Sequence, residues 1–367
     1  MSLVFTADQE ALTDAVRRLV ATHSPIAKVR EVMDSDAAYD AGVWQRLVEL
    51  GLPALTVPEE HGGAGATYAD VSAAYRPLGA GLVPSPLLGS AVLAAGVLAR
   101  LDDEAAQQEW LPRVAAGEAV LAAAVAEPRV RRWLPDRPAT TATGGRLTGT
   151  KTGVLAGADA DAYVVLAGGD GGVPAFHLVT AGAEGLTVTP EKPVDRTRAT
   201  ATLTFADTPA TPLAGDALAA LAGALEVADL VVVSEQVGAM EHVLAVTTEY
   251  ATNRYSFGQP IGAYQGVKHK IADMFTSLAL VDASLRLAVE EGDAGAPTFG
   301  AAAAAARSLA NPAYVTATRV SMLLHGGIGF TWEHDAHLYH KRAMVDDVLL
   351  GTTEEHLDRL AALTLGG

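Results

Sequence analysis

Two short runs in the last third of the chain contain residue types suited to binding phosphate. The first reads Arg254-Tyr255-Ser256-Phe257-Gly258-Gln259-Pro260-Ile261-Gly262, and the second contains the pair Gly326-Gly327. Arginine can contact phosphate oxygens through two parallel hydrogen bonds, and paired glycines allow a backbone to approach a ligand closely. Taken alone, an arginine followed by Phe-Gly is better explained as a helix end with a surface arginine and a tight turn.

Several carboxylates have the chemistry of a general base. Glu226 and Asp229 lie in a stretch with helical periodicity, and Asp346 and Asp347 lie close to the apolar Leu350. A general base must be within hydrogen-bond reach of the proton that it removes. Because most helix carboxylates are solvated, and because a shift of one helical turn moves a group by about 5 Å, residue types alone assign no base.

Composition excludes several kinds of site. The chain has no cysteine, which excludes disulfides, thiolate metal sites and cysteine nucleophiles. His334, His337 and His340 are spaced so that they turn around a helix, which favours a solvated or subunit-facing stripe and no metal site. A formal net charge of −17 argues against nucleic acid as a partner, although a few arginines could still hold an anionic cofactor.

Targeting signals are not evident in the sequence. No uninterrupted apolar run reaches the roughly 18 residues that a membrane span needs. The N-terminal residues lack the basic and apolar regions of a secretory signal. We therefore expect no membrane span and a cytoplasmic location.

The elements that would position these residues begin with a helical segment over residues 1–120. Apolar residues recur at three- and four-residue steps over 8–22 and 42–50, and Gly51 follows as a stop signal. Asp70 is a candidate cap for a later helix.

Residues 121–212 differ in composition from the preceding segment, and their pattern predicts a small β domain. Short runs such as 162–166, 175–179 and 202–205 are rich in β-branched or aromatic residues and are bounded by Gly, Asp or Pro. Helical periodicity returns over 213–367 and predicts a helical bundle, in which length favours helix for the Val231–Val233 triplet. The predicted fold class is therefore α+β, in three consecutive domains.

Several segments of the chain resemble the flavin-dependent acyl-CoA dehydrogenases. The resemblance covers nearly the whole chain and implies a helical N-terminal domain, a middle β domain and a C-terminal four-helix bundle. The matching segments are Val57-Pro58-Glu59-Glu60-His61-Gly62-Gly63, the run Tyr250–Gly262 with Gln265, His269 and Ala272-Asp273-Met274, and the run His325–Asp335, which resembles a variant common among actinobacterial members.

The resemblance implies an FAD site shared between subunits. In the family, the arginine and hydroxyl that match Arg254 and Ser256 bind the FAD pyrophosphate, and the aromatic ring that matches Phe257 packs near the adenine. These residues resemble the group that reaches across an interface to a neighbouring subunit's FAD. The implied cofactor-binding residues are Arg254, Ser256, Phe257, Gly258, Gln265, Gly326, Gly327 and Thr352.

The chain departs from the family where the chemistry takes place. Leu350 stands where a glutamate usually removes the substrate proton, and Ala228, beside Asp229, stands at the second known position of that base. We therefore assign no catalytic residue, while Asp229 or Glu226 stays open as a displaced base. The other departures flank the expected flavin ring: Ala126, the Arg129–Trp133 loop, Gly153, Leu155 and Leu323.

Three hypotheses follow from this pattern. In the first, the chain is the non-catalytic type of subunit of a heteromeric, heterotetrameric acyl-CoA dehydrogenase, and a partner subunit supplies the glutamate for α,β-desaturation of an acyl-CoA. In the second, the chain is an active homo-oligomer with a displaced base. In the third, it is a non-redox enzyme or binding protein for an acyl thioester. An electron-transfer flavoprotein-type acceptor is compatible with the first two.

Overall fold

Helical segments precede and follow a central group of strands in the sequence, as predicted. The computed structural model describes residues 5–128, 133–135 and 137–365. The helices of the first part are α1 Ala7–His23, α2 Ile26–Met33, α3 Ala41–Glu49, α4 Tyr68–Ala80, a π-helical stretch Leu88–Ala94 that continues as α5 Ala95–Leu98, and α6 Glu104–Ala115.

Local capping defines several of these helices. Thr6 and Gln9 form a reciprocal capping box at the start of α1. The prediction that Asp70 caps α4 is wrong, because this residue lies inside the first turn and accepts a hydrogen bond from the Gln9 side chain. The Asp293 carboxylate accepts hydrogen bonds from the backbone N–H groups of Tyr68 and Ala69 in the first turn of α4.

The predicted β segment forms a mixed sheet. Among the described residues it has eight strands in the order β6-β7-β3-β2-β4-β5-β8, with β1 paired to β4. Leu147, Tyr163, Leu203 and Phe205 belong to its buried core. The strands are β1 Leu121–Ala124, β2 Thr141–Thr143, β3 Arg146–Leu155, β4 Ala162–Gly168, β5 Pro174–Thr180, β6 Leu186–Pro190, β7 Thr200–Pro209 and β8 Thr211–Pro212.

Long helices form the last part of the chain. They are α7 Ala217–Asn253, α8 Gln265–Asp293, α9 Phe299–His325, α10 Ala336–Asp346 and α11 Thr353–Leu365, with a two-stranded hairpin, β9 Tyr255–Ser256 and β10 Gln259–Pro260, between α7 and α8. α9 packs against α8, α10 and α11. It continues through Pro312 without a break.

Tertiary contacts divide the chain into two compact units. One comprises the residues through Ala27, Tyr68–Val83 and Asp229 onward, and it is helical. The other comprises Lys28–Thr67 and Pro84–Ala228 and contains the sheet. The three consecutive domains with boundaries at 120 and 212 remain a prediction.

Helix α7 is long and apolar enough to cross a membrane by composition. Its most apolar 18-residue window has a mean hydropathy of 1.9 but contains Glu or Asp residues, so it is not an uninterrupted apolar run. Because 72% of that window is buried inside the protein, α7 has the character of a core helix.

Candidate functional site

The first predicted phosphate-binding run forms the hairpin between α7 and α8. The pairing of β9 with β10 places Phe257 and Gly258 at its tip, both with positive φ angles of 50° and 83°. The Ile261 N–H donates to the Arg254 carbonyl at 2.7 Å, and the Tyr264 hydroxyl donates to the Ser256 carbonyl at 2.9 Å. The hairpin is therefore held by backbone hydrogen bonds and by the Tyr264 side chain.

Two side chains of this hairpin are exposed to solvent. The Phe257 side chain is 97% exposed, and Arg254 is also exposed. Within the described residues, the Arg254 guanidinium forms no ion pair and no hydrogen bond. An exposed aromatic ring beside an unpaired arginine, on a defined backbone, is a surface suited to an aromatic phosphate-containing ligand.

The second predicted run forms the turn that ends α9. Gly326 adopts φ 67° and ψ −146°, a conformation that L side chains rarely adopt. Open space surrounds the positions where side chains would start at Gly326 and Gly327. The backbone of this turn is consequently accessible to a ligand. Gln265, the first residue of α8, is exposed.

Thr352 has a structural role that the sequence analysis did not assign. Its hydroxyl accepts the Glu355 N–H at 3.2 Å, and its own N–H donates to Glu355 Oε2 at 2.8 Å. This is a capping box at the start of α11, and the spacing Thr-x-x-Glu was its signal in the sequence.

Leu350 is buried where the resemblance predicts a base. Its side chain is 2% exposed, and its backbone has φ 61°, which is unfavourable for a branched side chain. Arg307 fixes the turn that precedes Leu350, because its Nη2 donates to the carbonyls of Asp346 at 2.7 Å and Leu349 at 2.8 Å. No proton acceptor is present at Leu350 itself.

Asp229, the open candidate for a displaced base, lies in a buried charge cluster. Its Oδ2 accepts from Nη2 of Arg359 at 2.9 Å, and its Oδ1 lies 3.6 Å from Nε of Arg307. Burial raises the pKa of Asp229 to about 6, against the opposing effect of the two arginines. Burial and the same arginines lower the pKa of the adjacent His356 to about 3, so the imidazole is neutral.

The arginine and histidine partners of Asp229 were not predicted from the sequence. Arg307 is fully buried and is the one charged residue in the run Gly300–Ala310, which was its signal. The other carboxylates considered as bases lie elsewhere in the local structure: Asp347 accepts from the Thr353 hydroxyl at 3.0 Å, Asp346 is buried, and Glu226 is half-buried.

In the sheet unit, two of the positions expected to face a flavin ring, Gly153 and Leu155, serve other purposes, whereas residues 129–132 of the Arg129–Trp133 loop lie outside the described residues. Gly153 has φ 62° at an irregularity of β3, and its N–H donates to Glu191. Leu155 is buried. It lies so close to Gly89 that any side chain at position 89 would clash with it. Neither residue offers an aromatic wall or a hydroxyl donor.

Glu127, in the loop after β1, is engaged in a buried ion pair. Its carboxylate accepts from Lys151 Nζ at 2.8 Å and from the N–H groups of Ala139 and Thr140, both at 2.7 Å. Burial raises the pKa of Glu127, but these hydrogen bonds outweigh it and hold the pKa below its usual value. Burial lowers the pKa of Lys151 to about 8. The pair joins the loop after β1 to β3.

The three spaced histidines are not a solvated stripe. His337 is buried and stacks on Trp332, and His340 shares a hydrogen bond with the Thr318 hydroxyl. In the part of the chain that the structure describes, no group of three or more His, Asp or Glu side chains is placed to hold a metal ion.

Comparisons with known proteins cover nearly the whole chain. Residues 6–118 match the description "Acyl-CoA dehydrogenase, N-terminal domain", and residues 218–365 match "Acyl-CoA dehydrogenase, C-terminal domain". The acyl-CoA dehydrogenase IpdE2 of Mycobacterium tuberculosis is 35% identical over 354 residues, which are 96% of either chain.

Solved structures give the same result. A chain of the ChsE4-ChsE5 complex from Mycobacterium tuberculosis is 28% identical with a TM-score of 0.86, and a chain of a Tcur3481-Tcur3483 steroid ACAD variant is 29% identical with a TM-score of 0.87, each with 98% of both chains covered. The resemblance to heteromeric actinobacterial members is thus supported. The chain belongs to the acyl-CoA dehydrogenase family, whose members are FAD-dependent oxidoreductases.

Proposed function

We propose that this chain is a subunit of an FAD-dependent acyl-CoA dehydrogenase assembly in which a partner subunit of the same family carries the catalytic glutamate. The observation that carries the proposal is the contrast between two positions. Leu350 is buried and cannot accept a proton, whereas the Arg254 hairpin is complete and exposed and its guanidinium is unpaired within the described chain. The chain therefore has residues that could contact a nucleotide, but it has no proton acceptor at position 350.

The exposed residues fit one end of FAD. Arg254 would bind the pyrophosphate with Ser256 beside it, Phe257 would cover the adenine, and the Gly326-Gly327 backbone would approach the nucleotide. When bound, FAD accepts the hydride that leaves the acyl-CoA β-carbon. This chain's residues bind and orient the nucleotide end, and the α-proton goes to the partner's glutamate.

The other end of FAD does not fit this chain. A flavin ring needs an aromatic or hydroxyl-bearing wall, and Gly153 and Leu155 provide neither. The Gly153 N–H is already bonded to Glu191. We therefore place the ring against the partner subunit, with the nucleotide shared across the interface.

The exposed apolar side chains support an assembly. Most of those in the described chain follow residue 253, in the part that contains the hairpin and the helices α8 to α11. A partner that covers this part would remove a large apolar area from water. The exposed apolar side chains after residue 253 are Tyr255, Phe257, Phe275, Leu280, Leu287, Leu309, Leu323, Ile328, Phe330, Trp332, Met344, Val348, Leu357, Leu363 and Leu365.

The substrate class follows from the family and the similar structures. An acyl-CoA thioester is the proposed substrate, and a steroid thioester is the first to test because one similar structure is a steroid ACAD. An electron-transfer flavoprotein-type acceptor would reoxidise the assembly. We expect the location to be cytoplasmic and no nucleic acid to bind.

A homomeric enzyme that uses Asp229 as its base is the second candidate. Asp229 is fully buried and paired with Arg359, so it has no exposed oxygen for a substrate. The Asp229→Ala variant decides this point. If the chain alone oxidises acyl-CoA, and the variant keeps its flavin but loses turnover, Asp229 is the base.

Visible absorbance tests the proposed function. The chain purified alone is expected to be colourless and inactive, and to become yellow and active when it is coexpressed with a partner subunit of the same family. A homo-oligomer that contains one FAD per chain and oxidises acyl-CoA would contradict the proposal.

A further inference from the structure

Tyr250 connects the two segments that are proposed to contact the nucleotide. It lies one turn before the end of α7, and its carbonyl accepts the Arg254 N–H at 2.8 Å. Its hydroxyl donates to the His325 carbonyl at 3.3 Å, and its ring lies against the His325 ring with centroids 4.5 Å apart. His325 immediately precedes Gly326.

The His325 side chain is itself held by hydrogen bonds within the helical bundle. It is buried, and its Nδ1 donates to the Ser321 carbonyl at 2.8 Å. The Ser321 hydroxyl lies 2.7 Å from the Thr247 hydroxyl, which joins α9 to α7. The His334 ring also contacts the imidazole, with ring centroids 4.4 Å apart. The ring therefore has little freedom to change its rotamer.

We infer that Tyr250 and His325 are positioning residues that fix the distance between the Arg254 hairpin and the Gly326-Gly327 turn, so that both contact one dinucleotide. This inference rests on the proposed function. The tilted ring contact and the hydroxyl–carbonyl bond both join α7 to the end of α9, which limits how far the two segments can move apart. Holding two contact segments in place before the ligand arrives lowers the entropic cost of binding.

The test uses four variants of the full chain. His325→Leu removes both ring contacts, and Tyr250→Phe removes only the hydroxyl bond. His325→Phe keeps an aromatic ring and serves as the rescue. His340→Leu is the matched control, since His340 is a half-buried ring on α10 that bonds to Thr318 away from the turn.

Amide hydrogen exchange on the chain alone tests the connection without any cofactor. His325→Leu is expected to raise exchange in both residues 254–262 and residues 326–330, while the buried positions of α8 and the His340→Leu control stay as in the wild type. Faster exchange confined to residues 326–330, or no change, would overturn the inference.

FAD affinity of the coexpressed complex tests the role of the connection. Each aromatic pair and the hydroxyl bond correspond to about a two- to tenfold change in Kd. His325→Leu is expected to weaken FAD binding about tenfold, and His325→Phe to restore most of it. Unchanged affinity would overturn the inference. A wild-type complex that binds no FAD would refute the proposed function instead, and the exchange result would still decide whether the connection exists.

Discussion

Asp229 Oδ2 lies 2.9 Å from Nη2 of Arg359, although the two residues are 130 positions apart in the chain. Arg307 approaches the other carboxylate oxygen and also holds the carbonyl of Leu349. α7, α9 and α11 are thus joined beneath the turn that carries Leu350. The cluster has the character of a structural clamp, in which Arg307 and Arg359 both hold the Asp229 carboxylate.

The clamp predicts a specific pH dependence of stability. The folded-state pKa of Asp229, about 6, is above its ordinary value of 3.8. The contribution of protonated Asp229 to stability is therefore fully present below pH 3.8 and is lost as the pH rises through 6. The unfolding free energy of the wild type should therefore fall, relative to Asp229→Asn, between pH 4 and pH 7. Denaturant unfolding of both proteins across this range measures the difference, and parallel pH profiles would reject the assignment.

The Lys151–Glu127 pair predicts a large loss of stability when one partner is removed. Lys151→Met leaves the Glu127 carboxylate buried beside only backbone donors, which typically costs about 3–5 kcal/mol. The double variant Glu127→Gln with Lys151→Met should recover much of this loss. Urea unfolding measures both, with the exposed Lys192→Met as control. A Lys151→Met variant as stable as that control would contradict the buried ion pair.

Restoring a glutamate at Leu350 should not restore activity in the chain alone. The Leu350→Glu variant places a carboxylate at a buried position and leaves Gly153 and Leu155 unable to face a flavin ring, so we expect lower stability and no acyl-CoA oxidation. Leu350→Met, of similar volume, should stay within about 1.5 kcal/mol of the wild type. Dye reduction with acyl-CoA is the measurement, and turnover by Leu350→Glu would show that the base was the only missing part.

Thr352 separates a structural role from a cofactor role. Thr352→Ala removes the cap of α11 and should lower the unfolding free energy by about 1 kcal/mol, while Thr352→Ser should keep it. If Thr352 also contacts FAD, the alanine variant of the complex will hold less flavin at a temperature where it is still folded. Flavin content equal to that of the serine variant would leave Thr352 with the cap alone.

Much of the fold was predictable because the apolar periodicities are local. The helix expected at 8–22 is Ala7–His23, and the strand-like run 162–166 lies inside Ala162–Gly168. α10 was not predicted as a separate helix, and the π-helical form of Leu88–Ala94 was not predicted either.

The contacts of the site depend on residues that are distant in sequence. Asp293 caps α4 across 225 positions, and Arg307 and Arg359 meet Asp229 through packing that no local pattern encodes. The exposure of the hairpin likewise follows from tertiary structure. The residue types alone indicated that Leu350 cannot accept a proton and that Arg254 can bind phosphate. The structure adds that Leu350 is buried and Arg254 is exposed.

The most direct test of the central claim is the FAD content of the coexpressed complex that carries Arg254→Ala in this chain. A charged hydrogen-bonding contact is worth about 1.5–3 kcal/mol, so the FAD Kd should rise by about ten- to more than a hundredfold. Arg18→Ala, an exposed arginine on α1, should leave it unchanged. If Arg254→Ala retains FAD as tightly as the wild-type complex, this chain does not supply the proposed contact across the interface.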